Sequence, residues 1–160
     1  MRLHYRGDRY KAAASPDLVE WVESGGLHSL DFLAAMGVYA QLATAGRDAD
    51  FAYLGAVDRF FLLTSVLGRK DAMHPWLYDR TREVELAPDG FIDLWSRFHY
   101  KSSIGTLAGS VQEIINDPEI TIGIFSHTQD IARKFVAQIK REFDGNENLR
   151  SLYPSICWIK

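Results

Sequence analysis

A single cysteine, Cys157, leaves the chain without an internal disulfide framework or a multi-cysteine metal site. Basic excess is also missing. The formal net charge is −3, so any contact with nucleic acid has to be local rather than the work of a general positive field. No apolar run approaches the roughly 18 residues needed to span a bilayer, and Met1–Arg6 lacks the core of a signal peptide. The expectation from these absences is an untargeted soluble protein with no membrane partner. Metal-ligating patterns are absent as well. The five histidines are scattered, with no His-x-x-x-His pair, and His28, His74 and His127 lie at expected helix starts, where capping or solvation explains them. Neither Ser110 nor Ser126 sits in a Gly-x-Ser-x-Gly elbow, so nucleophilic hydrolysis has no support.

What remains is a 160-residue chain, 47% hydrophobic and 24% charged, long enough to bury a core. Its first half reads as helical. Ser15-Pro16-Asp17 supplies a cap, a first-turn proline and an acid, and Gly25-Gly26 stops the helix that follows. Ser29 is the expected cap of a second helix, with Leu30, Leu33, Ala34, Gly37, Val38 and Leu42 on one face. A third helix is expected over 51–67 and a fourth from Pro75. The charged run Asp79, Arg80, Arg82, Glu83, Glu85 suits a surface ion-pair ladder on that fourth helix, and Phe60, Phe61, Trp76 and Trp95 suit the core.

After Pro88-Asp89-Gly90 the pattern changes. Residues 91–95 predict a strand, 103–116 a helix, the β-branched 119–125 a second strand, and a helix capped by Ser126 or Thr128 runs to Gly145. That alternation predicts a βαβ unit with parallel strands. The turn between the first strand and its helix reads Ser96-Arg97-Phe98-His99-Tyr100-Lys101-Ser102-Ser103. Helix N–H groups, a lysine and a hydroxyl in that order form the frame of a phosphate-binding loop. In that frame Lys101 meets the β- and γ-phosphates, Ser102 binds Mg²⁺ through its hydroxyl, and the 99–103 backbone cradles oxygens. One departure is visible: Tyr100 stands where the pattern takes glycine, and a Cβ there obstructs close approach of the backbone.

The run Ser96–Ser102 resembles the Ser-Arg-x-x-Gly-Lys-Ser/Thr form of the Walker A loop in large terminase subunits of tailed bacteriophages, and resembles still more the variants reading Arg-x-His-Tyr-Lys-Ser-Thr. The flanks are similar too, so that the resemblance covers roughly 58–154. It implies an α/β fold, a P-loop NTPase-type βαβ core preceded by a helical region. Residues 1–50 would be the helical part and 51–160 the first part of the ATPase domain, with the Walker A loop at 96–103. It further implies an ATP- and Mg²⁺-dependent motor that packs double-stranded DNA into a capsid. Its partners would be the portal protein, the small terminase subunit and further copies in a ring, in the host cytoplasm and docked transiently on the procapsid. Lys101 and Arg97 would be the catalytic pair, Arg97 acting on the γ-phosphate as an arginine finger. Ser96, Arg97, Phe98, His99, Tyr100, Lys101, Ser102 and Ser103 would bind the nucleotide. The family's Walker B strand with its paired acids, and its nuclease domain, have no counterpart here: the tail 155–160 is apolar and carries no carboxylate. The expectation is therefore a front end that is inactive alone. The alternatives are a truncated, non-catalytic remnant or interaction module of the same fold, or another P-loop NTPase such as a nucleotide kinase, for which no lid or acceptor site is evident.

Overall fold

In the computed structural model, residues 6–87, 92, 94–95 and 99–157 are described. Helices occupy most of them: α1 (Asp8–Lys11), α2 (Pro16–Glu23), α3 (Phe32–Ala45), α4 (Asp48–Val57), α5 (Arg59–Phe61), α6 (Pro75–Leu86), α7 (Gly109–Asn116), α8 (Gln129–Gly145) and α9 (Glu147–Leu152). Helix α5 continues as a π-helical turn over Leu62–Val66, and α7 is preceded by a π-helical stretch over Ser102–Ala108.

The expected α/β core is not found. The chain is all-helical, 71% in helix, with no strand and no sheet among the described residues. The reason is the absence of pairing. Residues 121–126 are neither helical nor bonded into a ladder, and Phe125 is 95% exposed. A β-branched run becomes a strand only when a neighbour takes up its N–H and C=O groups. The other expected strand, 91–95, falls partly outside the described residues; Ile92 and Leu94 are exposed. Without two paired strands there is no βαβ crossover among the described residues.

Helix α4 lies at the centre and touches α1, α3, α5, α7 and α9. Its small residues allow this: Ala52, Gly55 and Ala56 are all buried. At Gly55 an added Cβ would sit 2.4 Å from Tyr153 Oη, and that hydroxyl donates to the Ala52 carbonyl over 2.8 Å. Around α4 the core gathers Phe60, Phe61, Leu62, Leu63, Tyr78, Ile104, Leu107, Ile115 and Leu149. Local signals set several helix starts. Asp31, rather than the expected Ser29, caps α3 by accepting from Ala34 N–H over 2.8 Å, because 26–29 folds as a separate 3₁₀ turn. The face that α3 buries also differs from expectation: Ala35 and Tyr39 are buried while Leu33 is 78% exposed. Thr128 caps α8.

The helix expected over 51–67 is broken at Asp58, and the break organises the interior. Asp58 has extended backbone and caps α5 by accepting from Phe61 N–H at 3.0 Å. Its carboxylate is wholly buried and accepts from Arg82 Nη1 and Nη2 at 3.0 and 2.8 Å, and from the Tyr39 hydroxyl. Arg82 also donates to Glu85 at 2.9 Å, while the other oxygen of Glu85 accepts from Arg59 N–H. The Arg59 side chain reaches Gln112 Oε1 on α7 at 3.1 Å. Arg82 and Glu85 are thus interior groups, not members of a surface ladder; of the expected ladder, the Arg80–Glu83 pair alone is a surface contact among these ion pairs of α6.

Two outcomes follow from this interior. Truncating Arg82→Ala strands the Asp58 carboxylate in a dry site and is expected to cost about 3–5 kcal/mol of stability, read from denaturant unfolding. Stability is also expected to fall in alkali. Burial raises the phenols of Tyr39, Tyr153 and Tyr10, the last from 10.0 to about 12. The unfolded chain releases these protons near its ordinary pKa while the folded chain retains them. Their contribution is therefore complete below about pH 10 and lost as pH rises through the folded values. Tyr10→Phe should flatten part of that decline in unfolding free energy against pH.

Candidate functional site

Ser96, Arg97 and Phe98 lie outside the described residues, so the candidate loop is described from His99 onward. Tyr100 has φ 59°, the one described non-glycine residue with positive φ. That is the left-handed region, where a Cβ crowds the following carbonyl and glycine is favoured. The position at which the loop pattern takes glycine is thus held in a glycine-like conformation by a tyrosine. A side-chain tether accompanies it: the Tyr100 hydroxyl donates to Asp71 Oδ2 over 2.6 Å. Asp71 belongs to a 3₁₀ turn, Lys70–Ala72, just ahead of α6. The same hydrogen bond raises the Tyr100 phenol above its ordinary range.

After Tyr100 the chain turns helical at once. Lys101 has right-handed helical angles, and Lys101 and Ser102 are exposed while Ser103 is half-buried. Ile104 N–H donates to the Tyr100 carbonyl over 2.9 Å. The N–H groups of Ser102 and Ser103 fall ahead of that bond, in the first turn, whose donors a helix leaves for outside acceptors. The positive end of a 15-residue helical run, Ser102–Asn116, therefore meets solvent beside a lysine and two hydroxyls. Its opening stretch is π-helical, a distortion common at functional sites. Inward, Ile104, Leu107 and Ala108 anchor the run in the core.

Helix α6 flanks the loop. Its first turn is set by Pro75 and by His74, whose Nδ1 accepts from Trp76 N–H at 3.1 Å. His74 is thus a cap, as its place in the sequence suggested. The Trp76 ring stands 5.4 Å from Trp95 and 5.8 Å from His99, both edge-on, and the Arg80 guanidinium lies over Trp95 at 5.0 Å. The expectation that Trp76 belongs to the core fails, since it is 43% exposed, and Trp95 is half-buried; Phe60 and Phe61 are fully buried. The aromatic cluster and the Asp71 tether are the parts of this site that sequence reading missed. The Trp-x₁₈-Trp-x₃-His spacing carries no recognisable period, so only the fold brings these rings together.

No cluster of three or more His, Cys, Asp or Glu residues suited to a metal occurs among the described residues. Elsewhere, a cavity of about 380 Å³ is lined by Arg6, Asp8, Lys11, Glu23, His28 and Tyr53, with no residue from the loop. It mixes charges of both signs, and Lys11 and Glu23 pair with each other. No helix among the described residues is long and apolar enough to cross a membrane.

The strain at Tyr100 can be tested with two variants that lose the same hydrogen bond. Tyr100→Ile places a β-branched side chain in the left-handed region, whereas Tyr100→Gly relieves it. Tyr100→Ile is expected to unfold at the lower denaturant concentration, and equal midpoints would mean that position 100 carries no backbone strain. Compared with known proteins, the chain matches no family model, no curated protein and no solved structure.

Proposed function

We propose that residues 99–103 and the helix start behind them bind the phosphates of a nucleoside triphosphate, as part of a bacteriophage terminase large subunit. In the complete motor, ATP hydrolysis would drive translocation of double-stranded DNA into the capsid, with the portal, the small subunit and further copies as partners. The observation that carries the reading is the left-handed Tyr100 directly before Lys101. A residue kept in a costly conformation, tethered by Asp71 and followed by an open helix start, is the arrangement expected of a ligand clamp. The sequence resemblance over 58–154 is the ground on which this family is proposed. No α/β sheet underlies the loop among the described residues; the loop rests on a helical core.

On this reading Lys101 places a point charge against the phosphates. The N–H groups of Ser102 and Ser103 donate to phosphate oxygens as a cradle, and the Ser102 hydroxyl is the group available to Mg²⁺. Arg97 stands in the sequence where the family pattern has its loop arginine. A second reading, an interaction module without turnover, draws on a different observation. Ile122, Phe125, Ile131 and Val136 are all exposed along 119–136, more apolar surface than a nucleotide site requires.

Calorimetry with ATP and Mg²⁺, beside a phosphate-release assay, tests the proposal. The 160-residue chain is expected to bind ATP weakly and to release phosphate at no more than the background rate. Lys101→Ala should weaken binding by roughly tenfold, the loss of one charge-assisted contact, with at most a small shift in thermal unfolding because contacts of an exposed lysine add little stability. Undiminished affinity in that variant would remove the loop from nucleotide binding.

A further inference from the structure

The phosphate reading leaves the base of the nucleotide unassigned, and the rings around the loop supply a place for it. We propose that Trp76, flanked by Trp95 and His99, is a stacking platform for the nucleobase of the same nucleotide whose phosphates lie at Lys101–Ser103. This rests on the reading above and extends it to a second subsite.

Three observations carry the inference. First, Trp76 remains 43% exposed in the first turn of α6, where the next two residues, Leu77 and Tyr78, are buried. An indole left at the surface offers a large apolar π-face that water solvates poorly. Second, Trp76 is held rather than loose. Pro75 and the His74 cap define its backbone, and Trp95 and His99 meet its ring at interplanar angles of 65° and 74°. Third, the platform adjoins the phosphate turn. His99 is two residues from Lys101, a backbone span of at most about 7 Å, and its ring is 5.8 Å from Trp76. A base and the phosphates of one nucleotide are separated on the same scale, by a sugar and its ester linkages.

The neighbouring groups decide which ring takes the base. Trp95 is overlaid by the Arg80 guanidinium at 5.0 Å, so that one of its faces is already occupied. Trp76 is the more open ring. The Asp71 carboxylate accepts from the Tyr100 hydroxyl and so serves the turn. Recognition by stacking is indifferent to the pattern on the base edge, because every base presents a π-face. The platform therefore takes a base without telling adenine from guanine.

Calorimetric titrations of the 160-residue chain with the Mg²⁺ complexes of ATP, GTP and inorganic tripolyphosphate separate the two subsites. ATP and GTP are expected to bind within about threefold of each other and roughly tenfold more tightly than tripolyphosphate. Trp76→Ala should abolish that tenfold advantage while leaving tripolyphosphate affinity unchanged, and Trp76→Phe should retain most of it. Unchanged tripolyphosphate affinity also reports that the loop is folded in the variant. Equal affinity for ATP and tripolyphosphate in the wild-type chain, or an ATP preference that survives Trp76→Ala, overturns the platform and leaves the phosphate reading standing. Failure of all three ligands to bind overturns the phosphate reading and the platform with it. A preference for ATP over GTP far above threefold points to edge recognition and overturns stacking as the source of selectivity.

Discussion

The interior turns on one buried carboxylate. Asp58 accepts the Phe61 N–H that starts α5, both Nη groups of Arg82 on α6, and the hydroxyl of Tyr39 on α3. A wholly desolvated carboxylate is tolerable only when its oxygens are filled by donors and a counter-charge lies against it. Three helices are therefore held in one relative arrangement by the need to satisfy a single side chain. The network does not stop there: Glu85 passes the charge balance to Arg59 N–H, and the Arg59 guanidinium continues to Gln112 on α7. Arg6 adds the segment ahead of α1 through its 2.7 Å bond to Glu113. Buried ion pairs of this kind add less to stability than their geometry suggests, but removing one partner is costly, so they impose a specific arrangement.

Around that polar spine the apolar packing is conventional in its chemistry and specific in its fit. Helix α4 has neighbours on many sides because Ala and Gly occupy the contact positions, and Tyr153 fills the groove over Gly55. The phenol sits against backbone and satisfies its hydroxyl on the Ala52 carbonyl. Burial of the ring and closure of its hydrogen bond are met by the same approach of α9 to α4. Where that packing ends, at the first half of α8 and the segment before it, apolar residues stand in solvent: Phe125, Ile131 and Val136. Helix α8 buries only Ile139 and Glu142 among its residues, the latter bonded to Arg69 at 2.7 Å.

The candidate loop lies beside this core, and its conformation depends on it. Ile104 and Leu107 anchor the helix behind Lys101, while Asp71, on the turn before α6, holds Tyr100 from the front. Strain at one residue persists because both sides of the loop are fixed independently. The aromatic rings of Trp76, Trp95 and His99 come together for the same reason, since the α6 start and the loop are each positioned by contacts elsewhere.

By itself the sequence determined some of the helix ends of the first half, where Pro16 and Pro75 start helices and Gly46 ends one; local capping chemistry acts over a few residues and needs no distant partner. It also marked Tyr100-Lys101-Ser102 as a departure from the glycine-bearing loop pattern and placed a helix directly after it. Only the tertiary structure decided the rest. The run 119–125 carries strong β-propensity, yet propensity is realised through pairing, and no ladder forms among the described residues. Arg82 and Glu85 look in sequence like surface charges at helical spacing; their burial follows from Asp58, twenty-four residues before Arg82, being brought against them. Trp76 reads as core by its chemistry and is instead half open, because the faces of α6 are assigned by Arg82, Tyr78 and Leu77 packing inward. Hydrophobicity and periodicity name the residues able to be buried, but which of them are buried is settled by the long-range contacts that satisfy the buried charges.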